Sequence, residues 1–464
     1  MAQGSFSGSE VKWEFSLLAS VGFRGKSEKM NTSDAKKRLP ILRGNSFLTG
    51  SAVYLFSNIL KAAIPFALLP ILTRYLSPAE YGQVAMFQTL MGALAAFIGL
   101  SMAGAAGRKF YDNQSSSEML GDFIGSCVQI LLVTSIIALL LVWVSRVSLS
   151  QWFGLETQWL LLAVLVTAAS VLNQLRLGQW QVRKQVKQYG ALQVSSSLIN
   201  VLLSLLLVVV WQQGAAGRMS AQVWAAGLLA LLAWWFLKRD GLLRLWLWRP
   251  AYVKEALRFG VPLIPHVGGI FLLSAVDRFF INSRLGLSEV GVYMVAVQFA
   301  AALGLVFDAI NKAYVPWLFE RLTRNHPDEK QQIVRYTYLW YLVILFGAGC
   351  AFWLGPWIVT FVAGESYSKA GDVIGWLALG QVFGGMYLMV TNYIFYSKRT
   401  GLLSLASIIS GFVNVGLLLL LIPLLGIKGA AIAFCMAMAL RFILTWWVAQ
   451  MRHPMPWFNF GTSS

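Results

Sequence analysis

Residues 121–145 read GDFIGSCVQILLVTSIIALLLVWVS, and Asp122 is the only charged residue among them. A helix needs about 20 mostly apolar residues to cross the hydrocarbon core of a bilayer. Eleven other stretches of this kind occur in the 464-residue chain. The twelve predicted spans are approximately 46–71, 83–104, 121–145, 158–178, 191–211, 221–237, 260–281, 290–313, 336–358, 372–396, 402–424 and 430–450. The sequence therefore predicts an all-α integral membrane protein.

The composition excludes an ordinary water-soluble protein. Hydrophobic residues make up 58% of the chain and charged residues only 12%, whereas soluble domains have about 25% charged residues. The net charge is +18, but no soluble stretch is long enough to carry a folded basic face for nucleic acid. We therefore interpret the excess of basic residues as a determinant of orientation and expect no nucleic-acid partner.

The basic residues indicate which loops lie inside the cell. If the N-terminus is cytoplasmic, the inner segments hold 26 Lys and Arg residues and the outer loops hold six. Basic residues are retained on the cytoplasmic side. Because a missed helix would invert every later loop, this bias supports twelve spans with both termini in the cytoplasm.

An internal repeat divides the chain into two halves. Leu76, Glu80 and Gly82 recur as Leu285, Glu289 and Gly291, 209 residues later, each set in the short outer loop after the first helix of a half. An even number of spans per half gives both halves the same orientation, and transporters built in this way carry substrate between them.

This repeat predicts a domain organisation. The first 45 residues are basic and rich in Ser and Gly, and we expect a flexible cytoplasmic tail in which Met30 is a candidate start of translation. The remaining predicted units are an N-terminal six-helix lobe at 46–237, a basic cytoplasmic linker at 238–259, a C-terminal six-helix lobe at 260–450 and a cytoplasmic tail at 451–464.

Five basic residues fall inside predicted spans: Lys61, Arg176, Arg278, Lys312 and Arg441. A basic side chain at the bilayer centre costs about 2.5–3.5 kcal/mol on insertion scales, so it usually faces a watery cavity or a partner. Near the cytoplasmic ends of their spans, Arg176 and Lys312 have the alternative of snorkelling to the headgroups. For the others, the alternative to a functional role is a buried ion pair that only stabilises packing.

Acidic residues are fewer in the spans. Asp277 and Asp308 are candidate sites for coupling to a proton or sodium gradient, with a local salt bridge as the alternative. Side chains at adjacent helix positions point about 100° apart, so we expect that Asp277 and Arg278 do not simply pair with each other. The surplus of basic residues predicts a cationic interior that favours an anionic cargo.

Several kinds of enzyme and metal site have no support in the sequence. Cys127, Cys350 and Cys435 are widely spaced inside apolar segments, which argues against a disulfide framework or a zinc site. No glycine-rich phosphate loop is present, and three histidines offer no plausible catalytic triad. We expect no metal and no cofactor, and a protein that is not an enzyme.

Three motifs resemble one family. They are LPILTRYLSPAEYG at 69–82, GVPLIPH at 260–266 followed by DRFFI at 277–281, and EVGVY at 289–293 followed by NKAYVP at 311–316. With them the chain resembles the O-antigen and polysaccharide lipid flippases (Wzx-type) of the multidrug/oligosaccharidyl-lipid/polysaccharide exporter superfamily. The resemblance covers roughly residues 44–450.

The resemblance implies a two-lobed, MATE-like fold that alternates between inward-facing and outward-facing states in the bacterial inner membrane. The implied cargo is an oligosaccharide on undecaprenyl pyrophosphate, moved to the outer leaflet for O-antigen, capsule or exopolysaccharide synthesis. Implied partners are membrane lipid, a polysaccharide polymerase and a chain-length regulator. The candidate substrate contacts are Lys61, Arg278, Lys312, Arg441, Asn58 and Asn311.

Two other functions remain open at this stage. A multidrug or cation antiporter with the same fold would need acids to dominate its lumen. A membrane polysaccharide polymerase would need a sizeable outer loop with catalytic basic residues, whereas the outer loops here are about ten residues or shorter, apart from the stretch around Trp152.

Overall fold

The computed structural model describes Ile64, residues 66–112, 116–397 and 401–458. Within these residues every regular element is a helix. The α-helices are α1 (Phe66–Tyr75), α2 (Pro78–Leu94), α3 (Met102–Phe110), α4 (Ser117–Val144), α5 (Arg146–Phe153), α6 (Thr157–Val182), α7 (Val186–Ser204), α8 (Gly214–Arg239), α9 (Pro250–Gly260), α10 (Ile264–Ser274), α11 (Val276–Leu285), α12 (Leu287–Arg324), α13 (Pro327–Ala363), α14 (Gly371–Tyr396), α15 (Gly401–Leu425) and α16 (Ile427–Arg452).

Ten helical segments of the described chain are long and apolar enough to cross a membrane. The other two predicted spans correspond to α1, which is the described end of span 46–71, and to the α2–α3 pair, which is interrupted at 95–101. Several helices extend beyond their predicted spans. The seventh begins at Pro250 rather than near residue 260, because α9 continues through a 3₁₀ turn at Val261–Leu263 into α10.

The start of α2 explains one of the sequence motifs. Ser77 caps the helix: its hydroxyl accepts from the Glu80 amide at 3.4 Å, while the Ser77 amide donates to the Glu80 carboxylate at 2.9 Å. Pro78 occupies the first helical turn, where its missing N–H costs nothing. The sequence SPAE therefore ends the first span and starts the second within a few residues.

Following the predicted division of the chain, we refer to α1–α8 as the N-terminal lobe and to α10–α16 as the C-terminal lobe. In the first, α6 packs against α2, α3, α4 and α8, and in the second, α14 packs against α12, α13 and α16. The helix α9 packs against α3 and α4 of the N-terminal lobe. Lys109 of α3 holds it there through Glu255, at 3.0 Å.

Among the described residues, the two lobes share one large hydrophobic core, which includes the end that the charge bias assigns to the outside. The largest buried cluster there includes Phe87 and Leu90 of α2 together with Tyr293 and Ala296 of α12. Toward the other end, the buried clusters are separate, one around Phe123 in the N-terminal lobe and others confined to the C-terminal lobe. The described lobes are therefore joined at the predicted outer end.

Repeat-related glycines form a close contact between the lobes. Gly82 of α2 lies against the carbonyl of Leu287, and Gly291 of α12 lies against the carbonyl of Pro78. A Cβ atom at either position would overlap the opposite carbonyl oxygen. Tyr367 adds a hydrogen bond from its hydroxyl to the Leu76 carbonyl at 2.8 Å. The two copies of the short sequence repeat therefore contact each other where α2 crosses α12.

We predict that Gly291→Ala lowers the thermal unfolding midpoint of the purified protein, because the added methyl group forces α2 and α12 apart. The matched control is Gly347→Ala in α13, where a Cβ would meet nothing within 4 Å. Alanine favours a helix interior over glycine by about 0.5–1 kcal/mol, so the control should be unchanged or more stable. Equal midpoints for the two variants would contradict the close crossing.

Candidate functional site

A helix break organises the polar residues of the C-terminal lobe. The helices α10 and α11 are separated at Ala275, which has a non-helical φ of −141°. The buried Asn414 side chain donates to the carbonyl of Leu272 at 2.9 Å and to that of Leu273 at 3.5 Å. A helix break at membrane depth is tolerated when other groups satisfy the freed backbone atoms, and Asn414 does so here.

Arg278, which follows the break in the chain, satisfies a further backbone carbonyl there. Its guanidinium donates to the carbonyl of Ser274. It also lies 3.3 Å from the Asp277 carboxylate, and its backbone amide donates to that carboxylate at 2.9 Å. The expectation that Asp277 and Arg278 do not pair is wrong, because at the first turn of α11 the long arginine side chain folds back toward the break and reaches its neighbour.

The Asp277 carboxylate has a further partner in Tyr293 of α12, whose hydroxyl donates to it at 2.7 Å. Asp277 is 3% exposed and Tyr293 is fully buried. The carboxylate is therefore held by two neighbouring helices, and its negative charge compensates part of the nearby positive charge.

A cavity of about 150 Å³ opens beside this break. Its polar lining consists of Ser274, Asp277, Arg278, Gln381 and Arg441, and the remainder is apolar. Two of the predicted cationic residues, Arg278 and Arg441, are therefore brought to one cavity, whose lining also includes the Asp277 carboxylate.

Arg441 reaches the cavity from α16. Its Nε donates to the Ser407 hydroxyl at 3.2 Å, and its guanidinium carbon lies 3.8 Å from the centre of the Tyr387 ring. Packing on an aromatic face orients a guanidinium while leaving its terminal N–H groups available in the plane. Ser407 and Tyr387 therefore act as supports that sequence reasoning missed, since neither is charged or part of a recognised motif.

The other predicted residues on α12 form a separate group. Lys312 Nζ lies 2.6 Å from the Asp308 carboxylate, and both side chains are about half-exposed. Asn311 accepts a hydrogen bond from Asn392 at 2.8 Å. Asp308 and Asn311 follow the cavity residues Val297 and Ala300 by eleven residues. Eleven residues make about three turns, so they lie on the same helix face, about 16 Å along the axis.

The remaining predicted contacts, Lys61 and Asn58, lie outside the described residues. The structure therefore places Arg278, Arg441 and Asp277 together, and Lys312, Asn311 and Asp308 about three turns away on the same helix face. Among the residues described, no group of three His, Cys, Asp or Glu side chains could hold a metal ion.

Two other buried arginines have structural partners. Arg176 is 1% exposed, forms an ion pair with Asp240 at the end of α8, and stacks 4.1 Å from the centre of the Trp180 ring. It therefore does not snorkel. Arg218 lies within α8 rather than in an outer loop, where it donates to Asn200 at 2.8 Å. Neither residue lines the cavity beside the helix break.

Solved structures show the class of fold. An inward-facing multidrug resistance MATE family transporter of the MOP superfamily matches with a TM-score of 0.65 and 16% identity, over 84% of this chain and 94% of that chain. The lipid II flippase MurJ in an inward closed conformation matches with a TM-score of 0.68 and 14% identity, over 87% of both chains. The described part of the chain therefore has the fold of these MOP-superfamily and MurJ structures.

The family follows from the sequence comparison. A family model described as "polysaccharide biosynthesis protein" matches residues 47–322, more than half of the chain, and the chain belongs to this family. A probable low-salt glycan biosynthesis flippase of Haloferax volcanii is 23% identical over 86% of this chain and 82% of its own length. The resemblance inferred from the three motifs is confirmed, and the chain is a multi-pass membrane transporter rather than an enzyme.

We predict that Asn414→Ala lowers the thermal unfolding midpoint because it leaves two buried carbonyls of the helix break without a donor. The expected cost is about 1–2 kcal/mol. The matched control is Asn282→Ala, which removes a hydrogen bond to the Trp152 carbonyl that lies at an exposed site. An Asn414 variant as stable as the Asn282 variant would contradict this role.

Proposed function

We propose that this transporter is a flippase for an oligosaccharide linked to undecaprenyl pyrophosphate. In this proposal the cargo moves from the cytoplasmic to the outer leaflet of a bacterial inner membrane. The observation that carries it is the shared cavity of Arg278 and Arg441. A diphosphate is a compact anion, and guanidinium groups bind phosphate oxygens through paired hydrogen bonds.

The surroundings of the cavity favour an anion over a cation. Its lining holds two arginines and one aspartate, and that aspartate already accepts hydrogen bonds from Tyr293 and from the Arg278 amide. A cation antiporter would present free carboxylates to its cargo. Membership of the polysaccharide biosynthesis family also supports a glycan carrier.

The cavity is too small for a sugar chain, so it accounts for the charged head group only. In the proposal, the oligosaccharide lies in the space between the lobes, along the α12 face that carries Asp308, Asn311 and Lys312, and the polyprenyl tail stays in lipid. In the proposal, the end at which α2 and α12 join the lobes faces the outside, and cargo enters from the opposite, cytoplasmic side. Rocking of the two lobes would then open the outer side.

The proposal also includes ion coupling, protein partners and a biosynthetic pathway. Asp277 and Asp308 are the candidates for coupling to a proton or sodium gradient, and both are already paired with a neighbouring base. The polymerase and chain-length regulator are proposed partners, and O-antigen, capsule and exopolysaccharide are the candidate pathways. Lys61 and Asn58 remain proposed contacts.

We predict that the double variant Arg278→Gln, Arg441→Gln fails to restore surface polysaccharide in a strain lacking the gene, because it leaves the head group without its cationic partners. Mass spectrometry of extracted lipids should then show the accumulated lipid-linked oligosaccharide, whose mass also identifies the glycan. The control is Arg335→Gln, an exposed arginine on α13 outside the cavity, which should restore the polysaccharide fully.

Membrane levels of each variant are measured in parallel by immunoblot, which separates loss of transport from loss of the protein. Full surface polysaccharide in the double variant would contradict the proposed head-group site. Drug hypersensitivity of the deletion strain with no accumulated lipid-linked intermediate would support the cation antiporter instead.

A further inference from the structure

The segment between α8 and α9 follows an unusual path along α4. A Cβ added to Gly121 would lie 2.8 Å from the carbonyl oxygen of Gly241, and a Cβ added to Gly125, one turn later, would overlap the carbonyl oxygen of Arg244. The two glycines therefore allow the backbone of this segment to lie directly on the helix. Leu242 is fully buried in this contact region.

Of the α4 residues named here that contact the segment, Gln129 lies farthest along the helix from Asp122. Its side-chain amide donates to the carbonyl of Leu245 at 2.6 Å and to that of Leu247 at 3.4 Å. Gln129 lies seven residues beyond Asp122, which is about 10 Å along the helix axis. Non-helical backbone at membrane depth needs its polar groups satisfied by the protein, and Gln129 provides this.

The segment then returns to the level at which it entered. Arg249 lies 3.6 Å from the Asp122 carboxylate, and Arg244 lies 3.7 Å from the same carboxylate and 3.1 Å from Glu118. The chain thus runs along α4 toward the middle of that predicted span and comes back, with both arginines paired at its mouth. We call residues 242–248 the hairpin.

The side of the hairpin that faces away from α4 is apolar. Trp246 is completely exposed, Trp248 is 62% exposed and Leu247 is 40% exposed. Tryptophan is enriched at the boundary between headgroups and acyl chains. The two arginines at the mouth are each about half-exposed, at the level where lipid phosphates would complement their charge.

We propose that residues 242–248 form a lipid-inserted wedge whose partner is the phospholipid surface of the leaflet around the N-terminal end of α4. The charge bias assigns this leaflet to the cytoplasm. Trp246 and Trp248 reach the boundary of the acyl chains, and Arg244 and Arg249 lie among the headgroups. The segment at 242–248 connects the two lobes. The wedge anchors this segment to the membrane beside the N-terminal lobe.

The test is a spin-label depth measurement in phospholipid nanodiscs. Trp246→Cys is labelled in a background in which Cys127, Cys350 and Cys435 are replaced by alanine, and its collisions with oxygen and with a water-soluble nickel chelate are compared. The control label is Asn325→Cys, in the exposed turn between α12 and α13. Both positions are assigned to the same side of the membrane.

We expect the label at 246 to collide readily with oxygen and at least five-fold less often with the nickel chelate than the label at 325. Interfacial apolar groups insert about 5–10 Å, which sets the expected depth. Equal nickel accessibility at the two positions would overturn the proposal.

A second variant tests how the wedge is held. Gln129→Leu removes the donor to the Leu245 and Leu247 carbonyls, and we expect it to raise the nickel accessibility of the label at 246 at least two-fold. The label at 325 should not change. An unchanged label at 246 would contradict the assigned role of Gln129.

Discussion

The structure depends on the cost of leaving backbone polar groups unpaired in hydrocarbon. At the break between α10 and α11, the carbonyls freed by Ala275 are taken up by Asn414 and Arg278. The same rule explains the hairpin at 242–248, where Gln129 binds the exposed carbonyls. Irregular backbone therefore occurs beside specific polar side chains, and at the helix break one of these, Arg278, also lines the cavity.

The two halves repeat in sequence but differ in chemistry. Gly82 and Gly291 are equivalent by the repeat and meet at the crossing of α2 and α12. The cavity with Arg278 and Arg441 belongs to the C-terminal lobe, while the buried arginines of the N-terminal lobe, Arg176 and Arg218, have structural partners. The repeated glycines thus account for the contact between the lobes. The two halves differ in sequence elsewhere, and the proposed head-group site occurs in the C-terminal lobe.

Much of the fold could be predicted from sequence, because helix length and charge bias are properties of single segments. The helix Ile427–Arg452 contains the predicted span 430–450, and the helix Ser117–Val144 covers the predicted span 121–145 except for its last residue. Long-range pairing was not predictable: the Arg176–Asp240 contact joins residues 64 positions apart. Of the candidate site, Arg278 and Arg441 were predicted as cationic residues, but Ser407 and Tyr387, which support Arg441, carry no charge to indicate them. The Asp277–Arg278 pair was missed because helical geometry alone ignores the reach of an arginine beside a break.

The central claim is that Arg278 and Arg441 together hold the diphosphate of the cargo. The most direct measurement is an electron cryo-microscopy structure in nanodiscs with bound undecaprenyl pyrophosphate. The account predicts diphosphate density within hydrogen-bond distance of both guanidinium groups. Density for the head group beside other residues, with the Arg278–Arg441 cavity empty of it, would contradict the account.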